Sequence, residues 1–251
     1  MRQEITFGIT MSVIFLAGLS FGMLVEEPRV IFHEMVSPLE DEPADVVIEE
    51  LSESVTQLVA VDSRGNGVLT DLSVRTVPGA GRVLVDVDNL LFWVDTQQSI
   101  QTAKGVAEEY LKTEVKDVDL TYTIRVNGTN VVGGPSAGAA FTAATIAALQ
   151  NKTLNRDVII TGTVEEDGSI GQVGGIIAKG MAAKEGGYNR FLIPEGEKNL
   201  VEYRSEKECE SFGSVNICNI EYRAVEIDVE EEIGIDVVEV SDINEAMSYL
   251  L

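Results

Sequence analysis

The sequence is short of the residues on which several common sites depend. Its 251 residues include one histidine, His33, and two cysteines, Cys209 and Cys218. Structural zinc sites are built mostly from four cysteine and histidine ligands, and two cysteines without a histidine near them cannot complete one. We therefore expect neither a metal site nor a bound cofactor.

Basic residues are also scarce, since 18 lysines and arginines stand against 42 aspartates and glutamates, for a net charge of −24. Nucleic-acid surfaces need clusters of lysine and arginine to contact phosphates, so nucleic acid is excluded as a partner. The sequence has no G-x-x-x-x-G-K-[ST] segment either. Without that phosphate-binding loop, no ATP-driven step is expected within this chain.

One long apolar run lies near the start of the chain. Residues 5–25 carry no charged side chain, and about 20 apolar residues are enough to cross a bilayer as a helix. We predict that residues 1–25 form a single transmembrane anchor, with the rest of the chain outside the cytoplasm. A cleavable signal peptide is the alternative. Residues 26–54, rich in acid, are expected to form a solvated stalk before a folded domain at 55–251.

The segment with the most chemical information places one serine between glycines, in Gly133-Gly134-Pro135-Ser136-Ala137-Gly138. A run of small residues follows at 139–149 and predicts a helix. The pattern matches G-x-S-x-G, in which a serine hydroxyl is presented at a sharp turn before a helix. Unpaired N–H groups and the positive end of the helix dipole can stabilise an oxyanion there. Ser136 is therefore a candidate nucleophile. A turn with a purely structural role is the alternative, because it could have the same sequence.

The missing partner of that serine narrows the choice of base. No histidine follows Ser136, which excludes the triad of the α/β-hydrolase type, and lysine is the usual substitute. Of the five lysines after Ser136, Lys179 alone has apolar helical neighbours, namely Ile176, Ala182 and Ala183. Burial among them would lower the pKa of Lys179, as a lysine base requires. A lysine at a helix edge with a solvated ammonium is the alternative.

Together, these segments resemble a known family. Gly134-Pro135-Ser136-Ala137-Gly138, followed by Gly174-Gly175-x-x-x-Lys179-x-x-Ala182-Ala183, resembles the serine–lysine signature of the Lon protease proteolytic domain. Thr161 matches the threonine whose hydroxyl supports the lysine in that family. The resemblance runs from about residue 55 to the end of the chain. It departs from the family pattern at Gly133 and Thr163, where the family often has an acidic residue.

The resemblance implies an α+β fold with mixed sheets and packed helices, and the transmembrane helix expected from the apolar run would precede it. It implies a serine endopeptidase with a dyad of Ser136 and Lys179, supported by Thr161. Such an enzyme would hydrolyse polypeptides at the membrane surface without ATP. Rings of identical subunits are implied as well. Two alternatives stay open: an esterase or hydrolase of small acyl substrates, and a catalytically silent binding module, to which Gly133 and Thr163 point.

The two cysteines lie nine positions apart. Outside the cytoplasm Cys209 and Cys218 could form a disulfide that closes a small loop, and two free thiols are the alternative.

The pattern of apolar residues and turn signals favours grouped strands with helices between them rather than a regular βαβ array. The segments that predict strands are 56–61, 68–77, 82–87 and a hairpin of 158–164 with 169–173. The resemblance to the Lon proteolytic domain implies a helix at 96–111 as well.

Overall fold

The computed structural model describes residues 51–87, 94–125, 131–132, 134–213 and 215–251. Within these ranges no helix has both the length and the apolar character that a membrane crossing needs. The expected anchor and nearly all of the expected stalk lie outside the described residues. Both therefore stay predictions.

A five-stranded sheet is built mainly from the first part of the described chain. The strands are β1 (Ser52–Asp62), β2 (Gly67–Pro78), β3 (Val83–Val87), β4 (Val118–Arg125) and β5 (Val131–Val132). In space they follow the order β3-β4-β2-β1-β5, and all neighbours are antiparallel except β3 and β4. The predicted strands at 56–61, 68–77 and 82–87 are confirmed.

The turn between β1 and β2 is held by one carboxylate. Asp62 accepts the backbone N–H groups of Arg64 at 2.9 Å and Asn66 at 2.8 Å. These hydrogen bonds, led by the one from Asn66, lower the pKa of Asp62 to about 2. Aspartate commonly closes turns in this way. The turn fixes the end of β1, which reaches the candidate site described below.

Three helices share the larger hydrophobic core with this sheet: α1 (Val94–Leu111), α2 (Gly138–Leu149) and α5 (Ile243–Leu250). Every residue of α2 from Gly138 to Ala148 is buried, which its small side chains allow because neighbouring elements can approach it on all sides. Tyr122 packs edge-to-face on Phe141, with ring centroids 6.1 Å apart. The helices expected at 96–111 and 139–149 are confirmed.

A second, parallel sheet has the strand order β12-β9-β6, with β6 (Val158–Ile160), β9 (Arg190–Pro194) and β12 (Asp236–Val240). A smaller core beside it includes residues of α3 (Ile176–Glu185) and α4 (Val229–Ile233). Phe191 and Ile233 are fully buried there. The mixture of sheets and helices confirms the α+β class.

The expected hairpin of 158–164 with 169–173 is only partly right. Antiparallel pairing is limited to β7 (Thr163–Val164) and β8 (Ile170–Gly171), whereas β6 joins the parallel sheet. The chain passes from β6 to β7 through Gly162, whose φ is +158°. A Cβ at Gly162 would lie 2.4 Å from Cγ2 of Ile170. Glycine is therefore required where the two strands diverge.

A long two-stranded ribbon, β10 (Asn199–Phe212) with β11 (Val215–Asp228), leaves the parallel sheet. The sequence patterns above do not predict it. Cys209 and Cys218 lie directly opposite each other in it and form a disulfide. Of the two alternatives for the cysteines, the structure supports the disulfide.

Candidate active site

Ser136 lies in a single 3-10 turn, Pro135–Ala137, directly before α2. Proline at the first position of this turn supplies the required φ and has no N–H to satisfy. The backbone oxygen of Ser136 accepts the N–H of Gly162 at 3.0 Å and the hydroxyl of Thr161 at 3.1 Å. The serine turn is thus tied to the chain that leaves β6.

Lys179 lies on α3, and two glycines hold this helix close to the β1–β2 hairpin. A Cβ at Gly67 of β2 would lie 1.8 Å from the backbone oxygen of Ala178. Gly175, which precedes the helix, has φ +74°, and a Cβ there would meet Cγ2 of Val61 at 2.7 Å. Any larger residue at Gly67 would push α3 away. The position of Lys179 depends on this close approach.

The Lys179 side chain is almost completely buried, with 3% of the residue exposed. Its Nζ donates a hydrogen bond to Oγ1 of Thr161 at 3.2 Å. Burial lowers the pKa of Lys179 to about 8, and the charge of Glu197 partly opposes that change. The alternative of a solvated lysine at a helix edge is wrong, because Ile176, Ala182 and Ala183 are buried along with it.

Ser136 and Lys179 line the same cleft, which has a volume of about 320 Å³. Thr161 is fully buried and connects the two, since its hydroxyl accepts from Lys179 and donates to the backbone of Ser136. All three residues singled out in the sequence are therefore brought together. Thr163 also lines the cleft, whereas Gly133 lies outside the described residues.

Glu197, in the turn that follows β9, is a residue that the sequence patterns do not single out. It is 6% exposed, and its Oε1 accepts the backbone N–H of Val173, another residue of the cleft, at 3.1 Å. Its Oε2 is buried without a hydrogen-bond partner among the described residues. Burial raises the pKa of Glu197, and attraction to Lys179 acts in the opposite direction. A buried carboxylate therefore lies within electrostatic range of the lysine.

A signal for Glu197 does exist in the sequence. Thr161 directly follows β6, and Glu197 comes shortly after β9, the neighbouring parallel strand. Residues beyond the carboxyl ends of adjacent parallel strands lie at one edge of the sheet, where open α/β sheets usually carry their sites. An expectation that β6 and β9 pair in parallel would have pointed to this glutamate.

Comparisons with known proteins agree with this geometry. The family model of the Lon protease (S16) C-terminal proteolytic domain matches residues 94–214. This chain resembles the proteolytic domain of Lon proteases. The match includes Ser136, Thr161, Lys179 and Glu197, and it ends within the β10–β11 ribbon.

Individual Lon proteases show the same similarity. The archaeal Lon protease of Methanocaldococcus jannaschii is 36% identical over 104 residues, 40% of this chain and 16% of that protein. The Lon protease homolog of Acanthamoeba polyphaga mimivirus is 30% identical over 142 residues, covering 55% of this chain and 14% of the homolog. The Lon protease of Mesomycoplasma hyopneumoniae is 27% identical over 149 residues, covering 56% of this chain and 16% of that protein. The chain thus spans less than a fifth of each of these relatives.

Proposed function

We propose that this protein is a serine endopeptidase in which Ser136 is the nucleophile and Lys179 the general base. The observation that carries the proposal is a buried lysine, with its pKa lowered to about 8, in the same cleft as a serine held before a helix. A lysine with that pKa is partly neutral near physiological pH and can accept a proton. The similarity to Lon proteolytic domains supports polypeptides as the substrate class.

The reaction would proceed by acyl transfer. Neutral Lys179 takes the proton of Ser136 Oγ as that oxygen attacks the scissile carbonyl. The N–H groups of Ser136 and Ala137, in the first turn before α2, stabilise the oxyanion, each contributing about 3 kcal/mol. Protonated Lys179 then gives its proton to the leaving amine. Water, activated by the same lysine, hydrolyses the acyl-enzyme and restores the Ser136 hydroxyl.

Digestion of casein by the purified full chain tests this proposal, with short peptides and small acyl esters as parallel substrates. Cleavage of casein is the expected result. Turnover of esters without any peptide cleavage would instead indicate a small-molecule hydrolase. No turnover, with no labelling of Ser136 by a fluorophosphonate, would indicate a catalytically silent binding module.

Glu197 should set the pH at which the enzyme becomes active. Its negative charge favours the protonated form of Lys179: burial lowers the pKa of Lys179, and the charge of Glu197 acts in the opposite direction. Glu197→Gln keeps an oxygen for the Val173 N–H but removes the charge. We expect the midpoint of the pH–activity profile to move to lower pH by about 0.5–1 unit. Initial rates of peptide cleavage from pH 6 to 10 measure this.

Glu195→Gln is the matched control, because Glu195 lies in the same turn with its side chain exposed. Its profile should coincide with that of the wild type. If Glu197→Gln left the midpoint in place, the charge of Glu197 would have no role in tuning the lysine, and a midpoint that moved upward would contradict the proposed direction.

We further propose that the domain is anchored by residues 1–25, faces away from the cytoplasm and works without ATP. The uncharged run at 5–25 supports an anchor, and the Cys209–Cys218 disulfide supports an oxidising compartment. Protease added to intact cells should digest the domain, and ATP should leave the rate of the purified protein unchanged. Digestion only after lysis would reverse the orientation, and marked stimulation by ATP would reveal a nucleotide-dependent step.

A further inference from the structure

The β10–β11 ribbon has two chemically different faces. Directly opposed residues share a face and alternate along the strands, so the pairing of Val201 with Glu226 and of Cys209 with Cys218 assigns every position. One face carries mainly apolar and small side chains, and we call it the apolar face. Between the ribbon base and the disulfide it consists of Val201, Tyr203, Ser205, Lys207, Ile220, Tyr222, Ala224 and Glu226.

The other face of the ribbon is charged along most of its length and turns toward the protein body at its base. There Leu200 packs against the smaller core and Ile227 is buried. Further out, the charged face carries Glu202, Arg204, Glu206, Glu208, Glu221 and Arg223. Because the charged face meets the body at the base, the apolar face is directed to solvent.

The apolar face is exposed to an extent that needs an explanation. Tyr203 is 73% exposed and Tyr222 71%, and Val201 and Ile220 are each more than half exposed. Contiguous exposed apolar side chains mark interaction surfaces in soluble domains. An isolated two-stranded ribbon is also marginally stable in water. A partner that covers this face would stabilise the ribbon and remove the apolar side chains from solvent.

The order of residues along the apolar face is complementary to itself. It has four pairs of directly opposed residues, which we number as levels from the ribbon base. They are Val201 with Glu226, Tyr203 with Ala224, Ser205 with Tyr222, and Lys207 with Ile220. Consider two ribbons that stack face to face and antiparallel, related by a two-fold axis between the second and third levels. The second level of one copy is then opposite the third level of the other. Tyr203 then faces Ser205 of the other copy, and Tyr222 faces Ala224. Each large ring meets a small residue.

The charges on the apolar face obey the same symmetry. Among its residues between the base and the disulfide, Glu226 and Lys207 are the charged ones, at the first and fourth levels. The two-fold axis brings Lys207 of one copy level with Glu226 of the other, twice. Opposite charges across an interface fix its register and disfavour other partners. An unrelated docking partner would not require this match.

We propose that the apolar face is an isologous contact between two copies of this chain. Four tyrosines that each contribute about 150–250 Å² supply most of the ~1,200 Å² at the low end of specific interfaces. Val201, Ile220 and Ala224 add further apolar area. The disulfide near the far end of the ribbon holds both strands in the binding conformation, which lowers the conformational cost of association.

The proposal is tested by exchanging the charges of Lys207 and Glu226 and measuring how strongly the chain associates with itself. Sedimentation velocity of the full chain in non-ionic detergent should show a dimer at micromolar concentration. Lys207→Glu and Glu226→Lys should each weaken the dimer at least about tenfold, because like charges then lie at the same level across the interface. The double variant Lys207→Glu/Glu226→Lys should restore the wild-type dissociation constant. Arg204→Glu, a charge reversal on the opposite face, should leave it unchanged.

Several results would overturn the proposal. A wild-type chain that stays monomeric at tens of micromolar is one of them. Another is a dimer that is insensitive to Tyr203→Ser/Tyr222→Ser, which would place its interface elsewhere. Failure of the double swap to restore what the single swaps remove would contradict the antiparallel register. Loss of casein binding in the tyrosine variant of a monomeric protein would assign the face to polypeptide substrates instead.

Discussion

Replacing Ser136 by alanine is expected to reduce casein cleavage to about 1% of wild type or less, because the reaction loses its nucleophile. The fold should survive, because the contacts that tie the serine turn to Thr161 and Gly162 use the backbone oxygen of residue 136. The thermal midpoint of Ser136→Ala should therefore lie close to that of the wild type. Initial rates and circular-dichroism melting of the two proteins measure both expectations.

Ser248→Ala provides the matched control for this substitution. Ser248 is an exposed serine of α5 whose hydroxyl donates to the backbone oxygen of Glu245. Its loss should leave activity unchanged. If Ser136→Ala, free of contaminating wild type, kept more than a few per cent of the activity, Ser136 would not be the nucleophile.

Replacement of Lys179 by methionine should reduce activity as strongly as Ser136→Ala does. Unlike Ser136→Ala, it should also make the folded protein more stable. Without a base, cleavage should fall by a hundredfold or more, within the range that general bases contribute, about 10²–10⁴. Lys179→Arg should be inactive too, because guanidinium cannot give up its proton near neutral pH. Lys184→Met is the control on the same helix, since Lys184 donates to the backbone oxygen of Ile233 and lies outside the cleft.

The pH dependence of activity follows from the lowered pKa of Lys179. With a pKa of about 8, the neutral fraction rises about tenfold between pH 7 and pH 9 and then levels off. Cleavage by the wild type should rise in the same way. A profile that is flat from pH 7 to 9, or substantial activity in Lys179→Arg, would remove the lysine from the mechanism.

Stability should change with pH as well, over a window that begins at the same pKa. The pKa of Lys179 is lower in the folded protein, at about 8, than the ordinary 10.5, so between these values the unfolded chain binds the extra proton. Stability contributed at this position therefore rises with pH from 8 to 10.5 and is lowest below 8, where the buried lysine is charged. The cost of that charge is about 3 kcal/mol. Lys179→Met should consequently raise the free energy of unfolding at pH 7 by about 1–3 kcal/mol.

Chemical denaturation at pH 7 and pH 10.5 distinguishes this effect from a general change in packing. The methionine variant should gain stability over the wild type at pH 7, and the difference should shrink at the higher pH. A difference that is equal at both values would mean that the folded protein does not bury a charged lysine.

Local patterns predict most of the elements around the candidate site. Alternating apolar residues predict β1, β2 and β3, and small residues predict the buried helix α2. The apolar neighbours of Lys179 predict its burial, because on a helix they share its face. These predictions hold because each depends only on residues that are close together in the sequence.

Features that depend on pairing between distant segments escape such patterns. The β10–β11 ribbon contains many charged residues and is exposed on both faces along most of its length, so its strands lack the alternation of buried and exposed residues that marks a strand beside a core. The contact between Glu197 and Val173 depends on how β9 lies beside β6. The joining of β6 to the parallel sheet, rather than to a hairpin, depends on its pairing with β9, a distant segment. Tertiary packing decides all three.

The central claim is that Ser136 is made nucleophilic by neutral Lys179, and the rate at which a fluorophosphonate labels Ser136 as a function of pH tests it most directly. Mass spectrometry of the labelled protein identifies the modified residue. In the wild type the label should be on Ser136, with a rate that reaches half its maximum near the pKa of Lys179, about 8. In Lys179→Met the rate should fall at least about a hundredfold. Label on another residue, or labelling of Lys179→Met at the wild-type rate, would contradict the claim.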